Sequence, residues 1–394
     1  GPDQGRGLIG NFDWIGLKDV GAEPGGPNGA VYGFGIPHLM FMAFQMMFAI
    51  ITPALITGAF AERARFGPFL LFTALWSLLV YVPVAHWVFA YDGWLSAFAT
   101  NADAPDMGVN SLDFAGGLAI HVNAGFAAIA AVLVFGKRKG YGSQPMEPHD
   151  ITMVVLGAAI LWVGWFGFNA GSAGGATSQA VYAFTNTAVA AAVAALSWTL
   201  ASWQFGGKPS VVGAAAGAVA GLVAITPASG YVEPMQALII GVVAGGLCYG
   251  AVRIRASLGF DDSLDVVGVH GVGGMWGAIG TGLFASVVVS EIPYAKGLFE
   301  GGGTDRLTDS LVGIGAVGAY SFIVTFVILK ALDLTIGIRV SEDEEELGLD
   351  VTQHGERAYT SDEGGVPLAP GPILPAPPVT YSGGAPTPAP GGAK

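Results

Sequence analysis

The sequence has few charged residues and a single cysteine. Of its 394 residues, 16 are Lys or Arg and 29 are Asp or Glu, so that 11% are charged, whereas soluble domains carry about a quarter. Cys248 has no partner, which excludes a disulfide-stapled secreted scaffold. The net charge of −13 argues against nucleic-acid binding, and the 52% of hydrophobic residues argues against disorder. The remaining class is a membrane protein that interacts with a lipid bilayer.

Long stretches without any charged residue alternate with short charged loops. Nine such stretches, of 16 to 28 residues, make up half of the chain. Because a bilayer core requires roughly 20 helical residues, they predict nine spans of an all-α polytopic membrane protein. An odd number of spans places the two chain ends on opposite sides. The stretches are 33–60, 66–91, 114–135, 151–170, 180–203, 211–226, 235–252, 266–289 and 311–329.

Lys and Arg are concentrated in alternate loops. Such residues are retained on the cytoplasmic side of a membrane. The opposite loops hold only Lys296 and Arg306. We therefore expect a multi-pass protein of the cell membrane with its N-terminus outside and its C-terminus in the cytoplasm. The basic loop residues are Arg63, Arg65, Lys137, Arg138, Lys139, Lys208, Arg253 and Arg255, followed by Arg339 after the last span.

Glycine is abundant, with 62 residues. Small residues let helices approach closely in lipid. Gly213, Gly217 and Gly221 recur every four residues and therefore predict one closely packed helix face.

Four of the six histidines lie within the uncharged stretches, where ionisable groups are costly and often functional. His38 and His86 lie near the outer ends of their spans, where a structural or interfacial role is favoured. His121 and His270 lie deeper in the third and eighth spans and are the stronger candidates for function.

These two histidines share a motif. Asp113 precedes His121 by eight residues, and Asp262 precedes His270 by eight. Eight residues are about two helical turns, so each Asp can lie near a helix N-terminus, where a carboxylate is favourable. The third and eighth spans run in opposite directions, which indicates an inverted repeat with its site near the midplane.

The position of the motif also bears on the length of the protein. If the repeat unit has five spans and ends in the histidine helix, the first unit begins two spans before residue 1. We therefore expect a chain that is truncated at its N-terminus and lacks two membrane helices.

Two facing imidazoles could bind a metal, relay a proton or hydrogen-bond a small polar permeant. A metal needs three or four good ligands, and no HExxH, CxxC or intramembrane carboxylate accompanies the pair. Hydrolysis lacks a nucleophile, since Ser172 lies in FNAGSAGG without a GxSxG elbow. A pore with two neutral histidines is favoured over a metal centre or an enzyme, and no cofactor is expected.

Three phenylalanines lie near this pore in the sequence. Phe44 and Phe48 are spaced i, i+4 in the first span, and Phe168 ends the fourth. Such a spacing is more often a packed core than a gate. An aromatic face near a pore mouth nevertheless attracts a small cation.

Several of these segments resemble the ammonium transporters of the Amt/Mep/Rh superfamily, in particular the prokaryotic Amt branch. The resemblance extends over about residues 10–359. It implies an eleven-helix protein of two inverted five-helix repeats plus a last helix, of which nine spans are present, assembled as a trimer with one pore in each subunit. The matching segments are ITPALITGAFAER (51–63), DFAGGLAIHVNAG (113–125), GWFGFNAGSAG (164–174), KPSVVGAAAGAVAGLVAITPASGY (208–231), DVVGVHGVGG (265–274) and DLTIGIRV (333–340).

The resemblance also implies site residues and a mechanism. Phe89 departs from the branch, which usually has Trp at that position, and Trp87 or Trp94 could compensate. Because an unpaired ion is costly in low dielectric, ammonium is expected to lose a proton on entering the pore. The implied residues are Phe44, Phe89 and Ser172 for recruitment of ammonium or its analogue methylammonium, Phe48 and Phe168 for a gate, His121 and His270 for the pore, and Asp113 for structural support. The repeated motif adds Asp262 to Asp113 as a candidate for structural and proton-path support.

The chain is expected to have four regions. They are an external segment over 1–30, the ammonium transporter transmembrane domain over 31–337, a cytoplasmic regulatory region over 338–363, and a Pro/Gly-rich disordered tail over 364–394. By resemblance, a trimeric signal protein of the PII type is the expected cytoplasmic partner. Net transport of NH₄⁺ is favoured, with an ammonium sensor that signals through the C-terminal region as the alternative.

Overall fold

The computed structural model describes residues 7–24, 35–97, 109–290, 292–293 and 295–358. The tail predicted over 364–394 lies outside these residues, as do parts of the segment predicted over 1–30. Every regular element within the described residues is helical, and they contain no β-strand. The predicted all-α class is confirmed.

The helices follow the uncharged stretches. Several of the longer helical runs combine an α-helix with a 3₁₀ or π turn, and two short helices follow the last long one. The α-helices are α1 (His38–Ile56), α2 (Phe66–Trp76), α3 (Val82–Phe89), α4 (Asn123–Phe135), α5 (Ile151–Gly171), α6 (Ser178–Gly206), α7 (Val211–Ile225), α8 (Pro234–Ser257), α9 (Val272–Phe284), α10 (Val287–Ser290), α11 (Asp305–Ile336), α12 (Glu342–Leu347) and α13 (Leu349–His354).

Seven helical runs in the described residues are long and apolar enough to cross a membrane. Two of the nine predicted spans are shorter in the structure. Helix α7 has 15 residues, and the eighth stretch stops being helical at Ala285, where the backbone turns to φ −55° and ψ 131°. The count of nine spans therefore remains a prediction. The seven runs are His38–Ala59, Phe66–Phe89, Gly117–Phe135, Ile151–Gly171, Ser178–Gly206, Pro234–Ser257 and Asp305–Ile336.

Glycine contacts hold α6, α7 and α8 together. A Cβ on Gly221 of α7 would lie 2.4 Å from the carbonyl oxygen of Ala190 in α6, and a Cβ on Gly241 of α8 would lie 2.6 Å from the same oxygen. One turn away, a Cβ on Gly217 would lie 2.9 Å from the Ala194 oxygen. The close helix packing predicted from the spacing of glycines is confirmed, because any side chain here would collide with backbone.

Helices α4 and α5 occupy contrasting positions. Nine of the 13 residues of α4 are buried, whereas in α5 only Trp165 and Asn169 are. The first histidine motif therefore lies in the interior, and α5 presents an apolar outer surface with Ile160 and Val163 among its exposed residues.

The chain divides into one large unit that ends at Leu349 and a second unit that begins at Asp350. In the large unit, the segment after α11 returns to the loop between α1 and α2. The N–H of Val340 donates to the carbonyl of Arg63, and the N–H of Arg65 donates to Ile338. In the second unit, the Asp350 carboxylate accepts the N–H of Ala358.

Candidate functional site

The two motif histidines are in direct contact inside the bundle. Nδ1 of His121 lies 3.1 Å from Nδ1 of His270, and the rings are 5.2 Å apart at an interplanar angle of 23°. His121 is fully buried and His270 is 9% exposed. The Nδ1 contact is a hydrogen bond only when one ring carries the Nδ1 proton and the other offers its lone pair. The pair can therefore share a proton between its members.

The second ring nitrogen of His121, Nε2, remains available. Nε2 of His121 is buried and has no hydrogen-bond partner within the described part of the chain. A buried polar atom without a partner is costly. Such an atom is suited to bind a small polar molecule that passes the pair.

Both histidines lie on π turns rather than on regular α-helix. The first turn is Gly117–Val122 and the second is Val267–Gly271, each directly before an α-helix. π turns are rare and occur frequently at functional sites. The repeated sequence motif thus corresponds to a repeated local structure, which the eight-residue spacing did not predict.

The two aspartates of the motif differ in their hydrogen bonds. The carboxylate of Asp113 accepts the N–H groups of four successive residues, 116–119, at 2.6 to 3.2 Å. The carboxylate of Asp262 accepts the N–H of Val267 at 2.7 Å, and its Oδ1 is buried without a partner in the described residues. Both lie at the N-terminal end of a histidine helix, where the sequence places them. Only Asp113 caps a full turn.

A series of ring contacts leads from Phe44 to the histidines. Phe44 contacts Phe48 edge to face at 4.8 Å, and Phe48 contacts Phe168 in the same way at 4.7 Å. The ring of Phe168 lies nearly parallel to that of His121, with centroids 5.9 Å apart. A continuous series of rings therefore connects the predicted recruitment and gate residues to the pore histidines.

Sequence reasoning missed Trp165. Its indole stacks on His121 at 5.5 Å and on Phe168 at 4.9 Å. The indole N–H donates to Oγ1 of Thr226 at 2.9 Å, so the ring is fixed beside the pair. The available signal was its position three residues before Phe168, which places both rings on one helix face.

A cavity of about 40 Å³ lies beside Phe48, one of the two predicted gate residues. A single water needs only about 10–15 Å³ on this measure, so the cavity has room for a small polar molecule or ion. It brings together Phe44, Phe89 and Ser172, the three predicted recruitment residues, with Phe48 at its base. Phe168 does not line it.

The hydroxyl of Ser172 is oriented by its own helix. Oγ donates to the carbonyl of Phe168 at 2.8 Å, which uses its single proton. The lone pairs of Oγ can accept a hydrogen bond from a donor in the cavity. Ser172 is therefore set to bind an N–H group rather than an anion.

The remaining candidates lie outside this cavity. His38 packs against Trp14 at 4.6 Å, and His86 lies 3.8 Å from Asp92. Neither lines the cavity, and neither do Trp87 and Trp94. In the described residues no group of three or more His, Cys, Asp or Glu side chains is close enough to bind a metal.

Comparison with known proteins decides the family. The model of the Ammonium Transporter Family matches residues 20–359. The chain belongs to the ammonium transporter family. It is 47% identical over 356 residues to an ammonium transporter of Bacillus subtilis, covering 90% of this chain and 83% of that protein. It is 43% identical over 344 residues to the ammonium transporter Amt1 of Archaeoglobus fulgidus, covering 87% and 84%.

Solved structures of the same superfamily have the same fold. The crystal structure of Candida albicans Mep2 superposes with a TM-score of 0.76 at 40% identity, covering 86% of this chain and 72% of that one. A structure described as a sensor Amt protein has a TM-score of 0.75 at 29% identity, covering 89% and 83%. The predicted membership of the Amt/Mep/Rh superfamily is confirmed. The prediction of a multi-pass membrane transporter is also confirmed.

This member of the ammonium transporter family carries a buried cluster of ion pairs. The cluster lies at the end of the bundle opposite to the cavity, and we call that end of the bundle the basic end. Arg63 is fully buried and donates from Nη2 to the carbonyls of Ala59 and Asp261 at 2.7 Å each. Arg138 donates to Asp261 at 2.8 Å and to Glu62 at 2.7 Å. The cluster joins the three loops that follow α1, α4 and α8.

The charges of the cluster shift the pKa values of its members. Burial alone raises the pKa of Asp261, but hydrogen bonds and charge from Arg138 outweigh burial and lower it below the ordinary value. Burial lowers the pKa of Arg63 to about 10 in spite of the nearby Asp261. Both groups stay ionised at neutral pH, so the cluster is a true network of ion pairs.

Proposed function

We propose that the protein carries ammonium across the cell membrane along the path from the outer cavity to the histidine pair. The observation that supports this most is the unbroken series of rings from Phe44 through Phe48 and Phe168 to His121 and His270. A soluble ion would meet first a small aromatic cavity, then a closed gate, then the pair.

Recruitment begins in the cavity. The rings of Phe44 and Phe89 attract a small cation through their faces. The lone pairs of Ser172 Oγ accept one N–H of NH₄⁺, because the hydroxyl proton is already donated to Phe168. Methylammonium, which retains three N–H donors, is expected to bind as an analogue.

Deprotonation follows from desolvation. Below the cavity Phe48 is 3% exposed and His121 is fully buried. An ion in such surroundings costs several kcal/mol, of the order measured for buried charges, so that the ammonium pKa falls and NH₃ is favoured. NH₃ can then bind at Nε2 of His121.

The proton that is released has an acceptor on the same path. The pair of His121 and His270 shares one Nδ1 proton and can accept another at a ring nitrogen, with Asp113 and Asp262 supporting the two helix ends. Passage of both NH₃ and the proton gives net NH₄⁺ transport. The only covalent bond of the substrate that changes is one N–H bond, which breaks when ammonium enters the pore and re-forms on the inner side.

The histidine pair supplies the first test. His121→Ala and His270→Ala each remove one partner of the 3.1 Å contact. We expect the ammonium-evoked current of reconstituted liposomes to fall at least about tenfold, as for loss of a proton-transfer group. Exposed His149→Ala serves as the control and should retain the current. Unchanged current and selectivity in both pore variants would rule out the proposed path.

Topology and assembly are part of the same proposal. The N-terminus lies outside and the C-terminus in the cytoplasm, because Lys and Arg are concentrated at the basic end. Three copies form a homotrimer with one pore each. The exposed apolar side chains of α5, including Ile160 and Val163, fit burial in lipid or against another copy.

A PII-type signal protein is the proposed cytoplasmic partner. A groove of about 530 Å³ at the basic end is lined by Glu62, Arg138, Lys139 and Glu346. Its mixed charges and depth suit a polar loop of a partner. Deletion of residues 347–359, of which 359 lies outside the described residues, should change the regulation of transport.

The second candidate function is ammonium sensing. It is supported by the similarity to a protein described as a sensor Amt protein. A sensor would bind ammonium in the cavity and signal through the region 338–363 even when the pore is blocked. A cell-based nitrogen response that survives in His121→Ala would support sensing, whereas a response lost with transport would favour transport alone.

A further inference from the structure

The outer cavity contains an aromatic residue that the sequence motifs do not single out. Tyr91 lines it together with Phe44, Phe89 and Ser172, and Phe41, Phe48 and Phe114 line it as well. We infer that Tyr91 is a further ammonium-binding residue, whose ring supplies the aromatic face that this chain lacks where Phe89 replaces Trp. This inference rests on the proposed function and adds a recruitment residue to it.

The nearby tryptophans are not placed for this role. Trp87 is only 9% exposed, and its indole N–H donates to the carbonyl of Leu8 at 2.9 Å. Its ring packs against Tyr320 at 4.7 Å and against Trp94 at 5.7 Å. Neither tryptophan lines the cavity, whereas Phe41, Tyr91 and Phe114 do. Among these three residues, only Tyr91 offers a hydroxyl oxygen beside its ring face.

The backbone explains how Tyr91 reaches the cavity. Helix α3 ends at Phe89, and Ala90 is extended, with φ −74° and ψ 143°. Residues on either side of an extended residue point to the same side of the chain. Phe89 and Tyr91 therefore both face the cavity, whereas a continued helix would turn them about 200° apart at 100° per residue. The N–H of Gly93 then donates to Ala90 at 2.9 Å and closes the turn.

The chemistry of the phenol fits a small cation. Burial raises the pKa of Tyr91, so the side chain is neutral at physiological pH and offers a ring face and a hydroxyl oxygen. Ammonium that has shed part of its water has four N–H groups, and Ser172 can accept only some of them. A tyrosine at the rim provides both a cation–π contact and a further acceptor.

The test separates affinity from turnover. In Tyr91→Ala we expect the apparent KM of the ammonium-evoked current to rise about 2- to 5-fold, the range of one cation–π contact at a partly exposed site. The maximal current should change by less than about twofold, because Phe168 and the histidine pair are untouched. Tyr91→Phe distinguishes the two parts of the side chain: a KM near that of the unmodified protein assigns the effect to the ring, and a KM near that of Tyr91→Ala assigns it to the hydroxyl.

Two further variants make the result specific. Tyr182→Ala is the matched control, since Tyr182 is half-buried in the first turns of α6 and does not line the cavity. Phe89→Trp in the Tyr91→Ala background should restore most of the affinity. If Tyr91→Ala lowers the yield of folded protein, Tyr91→Leu keeps the bulk of the side chain and should show the same rise in KM.

The outcomes distinguish the two levels of proposal. Absence of any ammonium-evoked current in the unmodified protein would overturn the proposed function itself. A current in the unmodified protein with an unchanged KM in Tyr91→Ala and Tyr91→Leu would overturn only the role of Tyr91. An equal rise in Tyr182→Ala would also overturn it, because the effect would then not be local to the cavity.

Discussion

Single carboxylates with the same position in a repeated motif have different roles in this protein. Asp113 accepts four backbone N–H groups, whereas Asp262 accepts that of Val267. An ionised carboxylate has only acceptors and suits four donors, but an amide side chain brings two donors of its own. The demand for a charge is therefore strong at the first position and weak at the second.

This contrast gives a prediction on paired variants. Asp113→Asn should lower the free energy of unfolding by at least about 2 kcal/mol, since hydrogen bonds to a charged group are lost and an NH₂ group is forced among N–H donors. Asp262→Asn should cost less than about 1 kcal/mol, because the amide oxygen keeps the hydrogen bond from Val267. Thermal unfolding of the two purified proteins in the same detergent measures the difference. Equal losses would show that the hydrogen-bond count does not decide the role.

Pairs of helices set the distance between the histidines. A Cβ on Gly274 of α9 would lie 2.9 Å from Cβ of His121 and 3.0 Å from the carbonyl oxygen of Gly117. Reciprocally, a Cβ on Gly125 of α4 would lie 2.3 Å from Cα of Gly271. Each glycine stands four residues after a pore histidine, on the same helix face. The two helices thus touch backbone to backbone where the imidazoles meet.

A methyl group at this crossing tests the idea. Gly274→Ala should push the helices apart by a few tenths of an ångström and weaken the 3.1 Å contact between His121 and His270. The ammonium-evoked current should then fall about tenfold, because misplacement of a reacting group by a fraction of an ångström is costly. Its selectivity for ammonium over potassium should fall as well. Both are measured by the current in reconstituted liposomes.

The neighbouring glycine is the control. A Cβ on Gly273 would meet side-chain atoms of Val223 at 3.1 Å and Cys248 at 3.5 Å, and it does not touch either histidine. Gly273→Ala should keep the selectivity. If both variants lose selectivity alike, the crossing at Gly274 has no special part in positioning the pair.

Much of the helical layout could be predicted from the sequence, and several details of the site could not. Uncharged stretches locate helices because a charge in lipid is costly. The histidine motif found the contacting pair because two copies of it occur. The π turns have no sequence signature here, because their width depends on the helix packed against them. Tyr91 was missed because its position follows from one extended residue, Ala90, after α3.

At the scale of the whole molecule, the basic end is joined by charge while the interior is joined by small apolar contacts. Asp261 is fully buried and accepts hydrogen bonds from the Arg138 guanidinium at both of its oxygens. Breaking a buried pair leaves an uncompensated charge, at a cost of about 3–5 kcal/mol. The three loops of the cluster are expected to loosen together when this one carboxylate is neutralised.

Low pH neutralises the Asp261 carboxylate by protonating it. Because the pKa of Asp261 is lowered in the folded protein, its contribution to stability is complete above the unfolded value of about 3.9 and is lost as pH falls through the lower folded value. The melting temperature of the unmodified protein should therefore fall when the pH is lowered below about 4. Asp261→Asn should already have a lower melting temperature at pH 7, and its melting temperature should fall less on further acidification. Glu346→Gln alters an exposed pair with Lys139 and should follow the unmodified protein. A pH profile of Asp261→Asn parallel to that of the unmodified protein would contradict this role.

The π turns at both histidines have a consequence for how the sequence can change over time. A π turn contains one residue more than the α-helical turn it replaces. Loss of one residue from Gly117–Val122 would therefore convert it to an α-helical turn and leave the faces of the following helix nearly unrotated. The change in backbone would be confined to the turn that carries His121. Each π turn thus sets the local backbone of one histidine independently of the packing of the rest of its helix.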